Sequence, residues 1–161
     1  MSLLHEHDFH HRIDLFEPND KTALICVDVP EVQRIIVENL SELEYKIHTG
    51  LFAEDILLKL QTHTYDVVLI TEHFGATDLA TNPILQAILE IPGSQRRQQV
   101  VVLVGSSVHT DSEMEAWAHS VDLVVNLADV PNLKHVLRRG VVRSRGFYDP
   151  YIEELTSAGI Q

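Results

Sequence analysis

Residues 65–70, Tyr65-Asp66-Val67-Val68-Leu69-Ile70, and residues 100–104, Val100-Val101-Val102-Leu103-Val104, decide the fold class. Each is a short apolar run rich in β-branched residues. Such runs are expected where both faces of a strand are covered, as in the middle of a parallel sheet. Upstream, Thr22 to Asp28 is a similar run, followed by Val32, Ile35, Ile36, Leu40 and Leu43 at helical spacing, with Pro30 suited to that helix's first turn. A weaker strand over 45–49 leads through Gly50, expected in a turn, to a helix over 53–61 with Ile56, Leu57 and Leu60 on one face. Between the two central strands a helix opens at Pro83, carries Ile84, Leu85, Ile88 and Leu89, and is expected to stop at Pro92-Gly93. After the fourth strand, Thr110-Asp111-Ser112-Glu113 reads as a capping box ahead of a helix with Met114 and Trp117. A fifth strand over 121–125 precedes a helix that Asp129 can cap, with Pro131 in its first turn and Leu133, Val136 and Leu137 inward.

Strand and helix therefore alternate five times, the pattern of a doubly wound α/β domain with a five-stranded parallel sheet. The core spans 21–139, with an N-terminal extension over 1–20 and a C-terminal helical extension over 140–161. In the latter, Phe147, Tyr148, Tyr151, Ile152 and Leu155 form an aromatic and apolar stripe. The first segment is rich in histidine (His5, His7, His10, His11), which reads as a polar tail rather than a metal site because no cysteine accompanies it.

Composition narrows the function classes. Twelve Lys and Arg against 24 Asp and Glu give a formal charge of −12, which argues against a domain-wide nucleic-acid surface. A local basic stretch, Lys134, Arg138, Arg139, Arg143 and Arg145, reads first as a solvated helix end and second as a docking site for an acidic partner. No apolar run reaches the length of a membrane span, and no export signal is visible at the N-terminus. Cys26 is the sole cysteine and lies within a buried strand, so packing is its expected role and a reducing cytoplasm the expected location.

In a doubly wound sheet, ligands gather beyond the carboxyl ends of the strands. Those ends offer Val27-Asp28-Val29, Thr71-Glu72, Gly105-Ser106-Ser107 and Asn126-Leu127. Phosphoryl transfer to a carboxylate requires an acceptor acid, several oxygen ligands for Mg²⁺, and a hydroxyl and a cation for the phosphoryl oxygens. The set is incomplete.

The order of elements, together with Val27-Asp28-Val29-Pro30-Glu31-Val32 and Tyr65 to Thr71, resembles the receiver domain of bacterial response regulators. The resemblance implies a flavodoxin-like sheet in the order 2-1-3-4-5 and a place in two-component signal transduction. It also maps the phosphorylation site. The acidic pair falls on Val27 and Asp28, the phosphoacceptor on Thr71, the switch hydroxyl on Gly105, the Lys of the Lys-Pro pair on Leu127 and the switch aromatic on Val124.

These substitutions remove the acceptor, one metal ligand and the cation, so the expectation is a degenerate pseudo-receiver with no catalytic residues, metal or cofactor. Asp28 is expected to cap the following helix, and Glu72 to be a solvated loop acid. Either could serve a residual metal site. Ser106 and Ser107 are expected as loop-capping hydroxyls. The leading function is a phosphorylation-independent protein-interaction module, paired with itself or another protein. By resemblance its contact face is formed by the fourth helix, fifth strand and fifth helix, with Trp117, Val124, Lys134 and Arg138 as candidates. The alternatives are an atypical phosphoacceptor using a rearranged acidic site, and a small-molecule-binding flavodoxin-like sensor. The latter lacks a glycine-rich phosphate loop, having Val29-Pro30-Glu31 there.

Overall fold

The computed structural model describes residues 17–50, 52–76 and 82–144. Five parallel strands form one sheet in the order β2-β1-β3-β4-β5. They are β1 (Thr22–Cys26), β2 (Lys46–Gly50), β3 (Val67–Thr71), β4 (Val100–Gly105) and β5 (Leu123–Asn126). The helices are α1 (Pro30–Glu42), α2 (Ala53–Thr62), α3 (Pro83–Leu89), α4 (Glu113–Ala118) and α5, helical over 133–144. The expected flavodoxin-like order is the observed one.

Alternation along the strands builds two cores. Ala23, Ile25, Val67, Leu69, Val102 and Val104 face α1 and α5, where Ile36, Leu40, Leu133 and Leu137 meet them. Leu24, Cys26, Val68, Ile70, Val101 and Leu103 face the other way, onto Ile56 of α2, Ile84 and Ile88 of α3 and Ala116 of α4. Both faces of β1, β3 and β4 are thus sealed, which is why these runs read as continuous apolar sequence.

Several local details differ from the sequence reading. Gly50 is the last residue of β2, paired with Cys26, and not a turn residue; a Cβ there would collide with the Ile56 side chain, so close strand-to-helix approach fixes the glycine. α3 is capped by buried Asn82, whose Oδ1 accepts from the N–H groups of Ile84 and Leu85, and the chain makes a further helical turn, Gly93–Arg96, where a stop was expected. The cap of α4 is Ser112, accepting from Glu115 N, and Glu115 in turn accepts from the His109 N–H at 2.6 Å. Thr110, two residues earlier, instead donates to Asp129 and accepts from Asn126 N. Asp129 therefore does not cap the last helix. Asn126 opens that segment by accepting from Ala128 N, at the head of a 3-10 stretch, Leu127–Asn132, that leads into α5.

α5 runs unbroken across the expected boundary at 139/140. The helical extension beyond 144, its aromatic stripe and the N-terminal histidines lie outside the described residues.

At the amino ends of the strands, two aspartates serve the same purpose. Asp66 Oδ2 accepts from Thr22 N at 2.9 Å, and Asp122 Oδ2 accepts from Val101 N at 2.8 Å and from Arg96 at 2.7 Å. Each satisfies an N–H at the start of the neighbouring strand, where the ladder cannot. Asp122→Ala leaves the Val101 N–H without its acceptor and the partly buried Arg96 guanidinium with only the carbonyls of Gln99 and Ser120, and is expected to cost about 2–3 kcal/mol in chemical denaturation. Arg34→Ala, which breaks the exposed Arg34–Glu38 pair of α1, is expected to cost at most about 0.5 kcal/mol by the same chemical denaturation assay.

Candidate functional site at the strand ends

Beyond the carboxyl ends of β1, β3 and β4 lies a crevice of about 230 Å³, lined by Asp28, Val29, Thr71, Glu72, Gly105 and Leu127 among others. Its centre is Glu72. This acid is buried, not solvated. Its Oε1 accepts from Ser106 N at 3.0 Å and Ser107 N at 3.2 Å, and its Oε2 accepts from the Ser107 hydroxyl. Its own N–H donates to Val104 O at 2.9 Å, so the residue stitches the end of β3 to the end of β4.

Gly105 makes this possible. A Cβ at position 105 would lie 2.5 Å from Glu72 Cδ and 2.6 Å from Oε1, so the carboxyl group occupies the space that any other residue's side chain would need. Ser106 and Ser107 are accordingly the donors of a carboxylate clamp rather than caps of their own loop. The sequence signal for the clamp is an acid immediately after one buried strand and Gly-Ser-Ser immediately after its neighbour.

Burial opposes ionisation of Glu72. The hydrogen bonds from Ser107 and Ser106, with His73 nearby, outweigh that and hold its carboxyl below the ordinary glutamate range.

The remaining site residues fall out separately. Val27 follows β1 and is wholly buried among the α1-side residues, so it contributes core and not a ligand position. Asp28 is exposed and does not cap α1, whose N-cap is Val29 with no side-chain hydrogen bond. Its Oδ2 accepts from Gly75 N at 2.9 Å, across the crevice mouth in the loop after β3. Gly75 has φ of 72°, a conformation that a glycine adopts without strain. Thr71 ends β3, and its buried hydroxyl has no hydrogen-bond partner. Leu127 is 40% exposed on the crevice rim. Among the described residues, no group of three or more His, Cys, Asp or Glu side chains is placed to hold a metal ion.

The four residues expected on one contact face do not share one. Val124 is fully buried under α4. Lys134 points toward α1, where its Nζ pairs with Glu42 at 2.6 Å and its N–H donates to Asn39. Arg138, four residues on, follows it along the same helical stripe. Trp117, by contrast, is 84% exposed on α4, beside exposed Met114. It lines a groove of about 290 Å³ with Glu113, Val121, Gly140, Arg143 and Ser144, between α4 and α5. The basic stretch divides between these faces, with Arg139 and Arg143 both set on Asp111 at 2.9 and 3.4 Å.

No family model and no curated protein matches this sequence. Solved structures do match. The receiver domain of the Francisella response regulator 1452 superposes with a TM-score of 0.58 at 13% identity, over 78% of this chain and 99% of that one. The chemotaxis response regulator CheY4 of Vibrio cholerae gives 0.55 at 14% identity, over 73% and 99%. A CheY-like receiver domain protein from Methanospirillum hungatei gives 0.60 at 11% identity, over 80% and 98%. The chain has the receiver fold.

Two outcomes test the clamp. In a double-mutant cycle, Gly105→Ala is expected to expel the Glu72 carboxylate and cost about 1–3 kcal/mol, as is Glu72→Ala, but the pair together should cost far less than their sum. Additive losses would mean that the glycine serves something else. The second outcome concerns acid. Because the folded pKa of Glu72 is depressed, its stabilising contribution is complete above the unfolded value of about 4.3 and is lost as pH falls through the folded value. Glu72→Gln should therefore flatten the acid limb of the stability profile, read by urea titration, while lowering stability at neutral pH.

Proposed function

We propose that this domain is a receiver-like signalling module that works without phosphorylation and whose output is a contact with another protein. The observation that carries the reading is the Glu72 carboxylate seated over Gly105.

Phosphoryl transfer requires donors that meet the charge developing on phosphoryl oxygens. The two N–H groups at the end of β4 that could do this are already held by an anion of the chain itself. The position that corresponds by resemblance to the acceptor is Thr71, and the position of the cation is Leu127. Asp28 brings one carboxylate, one of whose oxygens is engaged by Gly75, whereas a Mg²⁺ ion needs an octahedron of oxygens and tolerates few departures from it. A small-molecule sensor is the weaker reading, because the crevice is small and presents two acids where a phosphate-bearing cofactor needs N–H donors.

The shared fold supports a role in two-component signalling, and a domain without its own switch chemistry acts through its surface. Exposed Trp117 and Met114 beside Arg143 supply aromatic, apolar and guanidinium groups of the kind enriched at interface centres.

Isothermal titration of the full chain with Mg²⁺, alone and with beryllofluoride, is expected to show no saturable heat and no rise in melting temperature. Saturable binding that requires both reagents and disappears in Asp28→Ala would overturn the reading in favour of an atypical phosphoacceptor.

A further inference from the structure

We infer that the strand-end crevice receives a lysine side chain from a partner protein, with the ammonium set between Asp28 and Glu72 and the stem against Val29, Val32 and Leu127. The inference rests on the proposed reading in one respect, that the crevice performs no phosphoryl transfer. It adds a contact separate from the Trp117 surface.

The walls of the crevice are apolar. In the sheet order β1 and β5 flank β3 and β4, so Val29, after β1, and Leu127, after β5, stand on either side of Glu72. They are 50% and 40% exposed, and Val32 and Val104 continue the lining. Walls of this kind offer nothing to a hydrated metal ion, but they cover the methylene stem of a long charged side chain. At about 230 Å³ the crevice falls below the roughly 300–1,000 Å³ of sites for drug-sized ligands, a scale that suits one inserted side chain.

The charge within those walls is negative and lacks a strong counter-ion. Two carboxylates line the crevice, and no lysine or arginine is among the described lining residues. His73 lies 4.0 Å from Glu72 Oε1 with its ring largely in water, where such a pairing is worth little. Glu31 offsets the positive end of the α1 dipole nearby. The hydrogen bonds to Glu72 lend it dipoles and leave its charge in place. Oε2 accepts only from the Ser107 hydroxyl, and Asp28 is met only at Oδ2, so each acid keeps acceptor capacity. Thr71 lines the same crevice with a buried hydroxyl that has no hydrogen-bond partner, which a donor seated beside it supplies. The formal charge of −12 steers basic surfaces toward the domain.

Geometry selects lysine over arginine. A guanidinium fork takes both oxygens of one carboxylate, and one oxygen of each acid is already engaged by backbone N–H groups. An ammonium donates in three directions and can serve two acids carried on different strands.

Amide NMR of the full chain, titrated with Nα-acetyl-lysine N-methylamide in the absence of Mg²⁺, tests this. Saturable shifts centred on Asp28, Gly75, Ser106 and Ser107 are expected, with half-saturation at about 1–10 mM, the range open to a single side chain. The norleucine counterpart, which keeps the stem without the charge, should bind about tenfold more weakly. Asp28→Asn retains an acceptor for Gly75 N and therefore the melting temperature, and should weaken the lysine probe about tenfold. Leu127→Lys, which supplies an ammonium from the rim, should weaken it as much.

The inference fails if the lysine probe gives no saturable shift, if the norleucine counterpart binds equally well, or if Asp28→Asn leaves the affinity unchanged. Butylammonium separates the sources of the amine: affinity equal to or below that of the capped lysine is expected, and tenfold tighter binding would assign the crevice to a free small amine instead of a partner. The titration contains neither Mg²⁺ nor beryllofluoride, so its failure leaves the phosphorylation-independent reading standing, whereas a Mg²⁺-dependent response removes the premise itself.

Discussion

Everything in this domain hangs on the parallel pairing of β1, β3 and β4, three strands whose residues are almost wholly withdrawn from water on both sides. Burial on both faces forces a division of labour. Apolar side chains must fill every interior position, and helices must cover both surfaces. The only places left for polar chemistry are the two rims where the strands begin and end. At the lower rim, Asp66 and Asp122 complete the ladder. At the upper rim, Glu72 does comparable work, because it joins adjacent strand ends by accepting from backbone N–H groups. The same constraint thus yields a structural carboxylate at each end of the sheet, and at the upper end that carboxylate lies in the fold's ligand-binding region.

At the upper rim this leaves a crevice whose donors at the end of β4 are already engaged. A crevice at strand ends normally offers unfilled donors and acceptors to a ligand; here the donors are met from within. Gly105 and Glu72 are complementary in volume as well as charge, so neither is intelligible alone. The loop that follows β4 is further fastened by Asn126, whose amide donates to Val108 O, and by Thr110, which joins Asp129 to the end of β5. The path from the crevice to α4 is consequently bonded at several points, giving the Trp117 surface a fixed mounting.

Much of the architecture was legible in sequence because it depends on one-dimensional signals. Alternation, apolar runs and Pro30 or Pro83 at helix starts give five strands and their helices in the right order. What sequence did not convey depends on pairwise geometry. Glu72 looks like a loop acid until its neighbour across the sheet is known, and the neighbour lies more than thirty residues away. Asp28 looks like a cap because it precedes a helix, yet its partner is Gly75. Thr110 and Ser112 are both competent to cap α4, and only the tertiary bonds of Thr110 to Asp129 and Asn126 choose between them. Lys134 faces α1 and not the Trp117 groove because the rotation of α5 about its axis is set by its buried side, Leu133, Val136, Leu137 and Gly140.

The burial of Cys26 has a consequence of a different kind. It closes β1 at the carboxyl end, yet it is sealed between sheet and helices, and burial pushes its thiol well above the ordinary range, with the Lys59 ammonium opposing. A thiol in that state neither ionises nor meets a reagent while the sheet is intact. Its modification by a maleimide must wait for the central strands to part, which makes the natural chain a built-in clock for its own global opening. The same silence leaves any cysteine introduced on the surface as the one group that dyes will find.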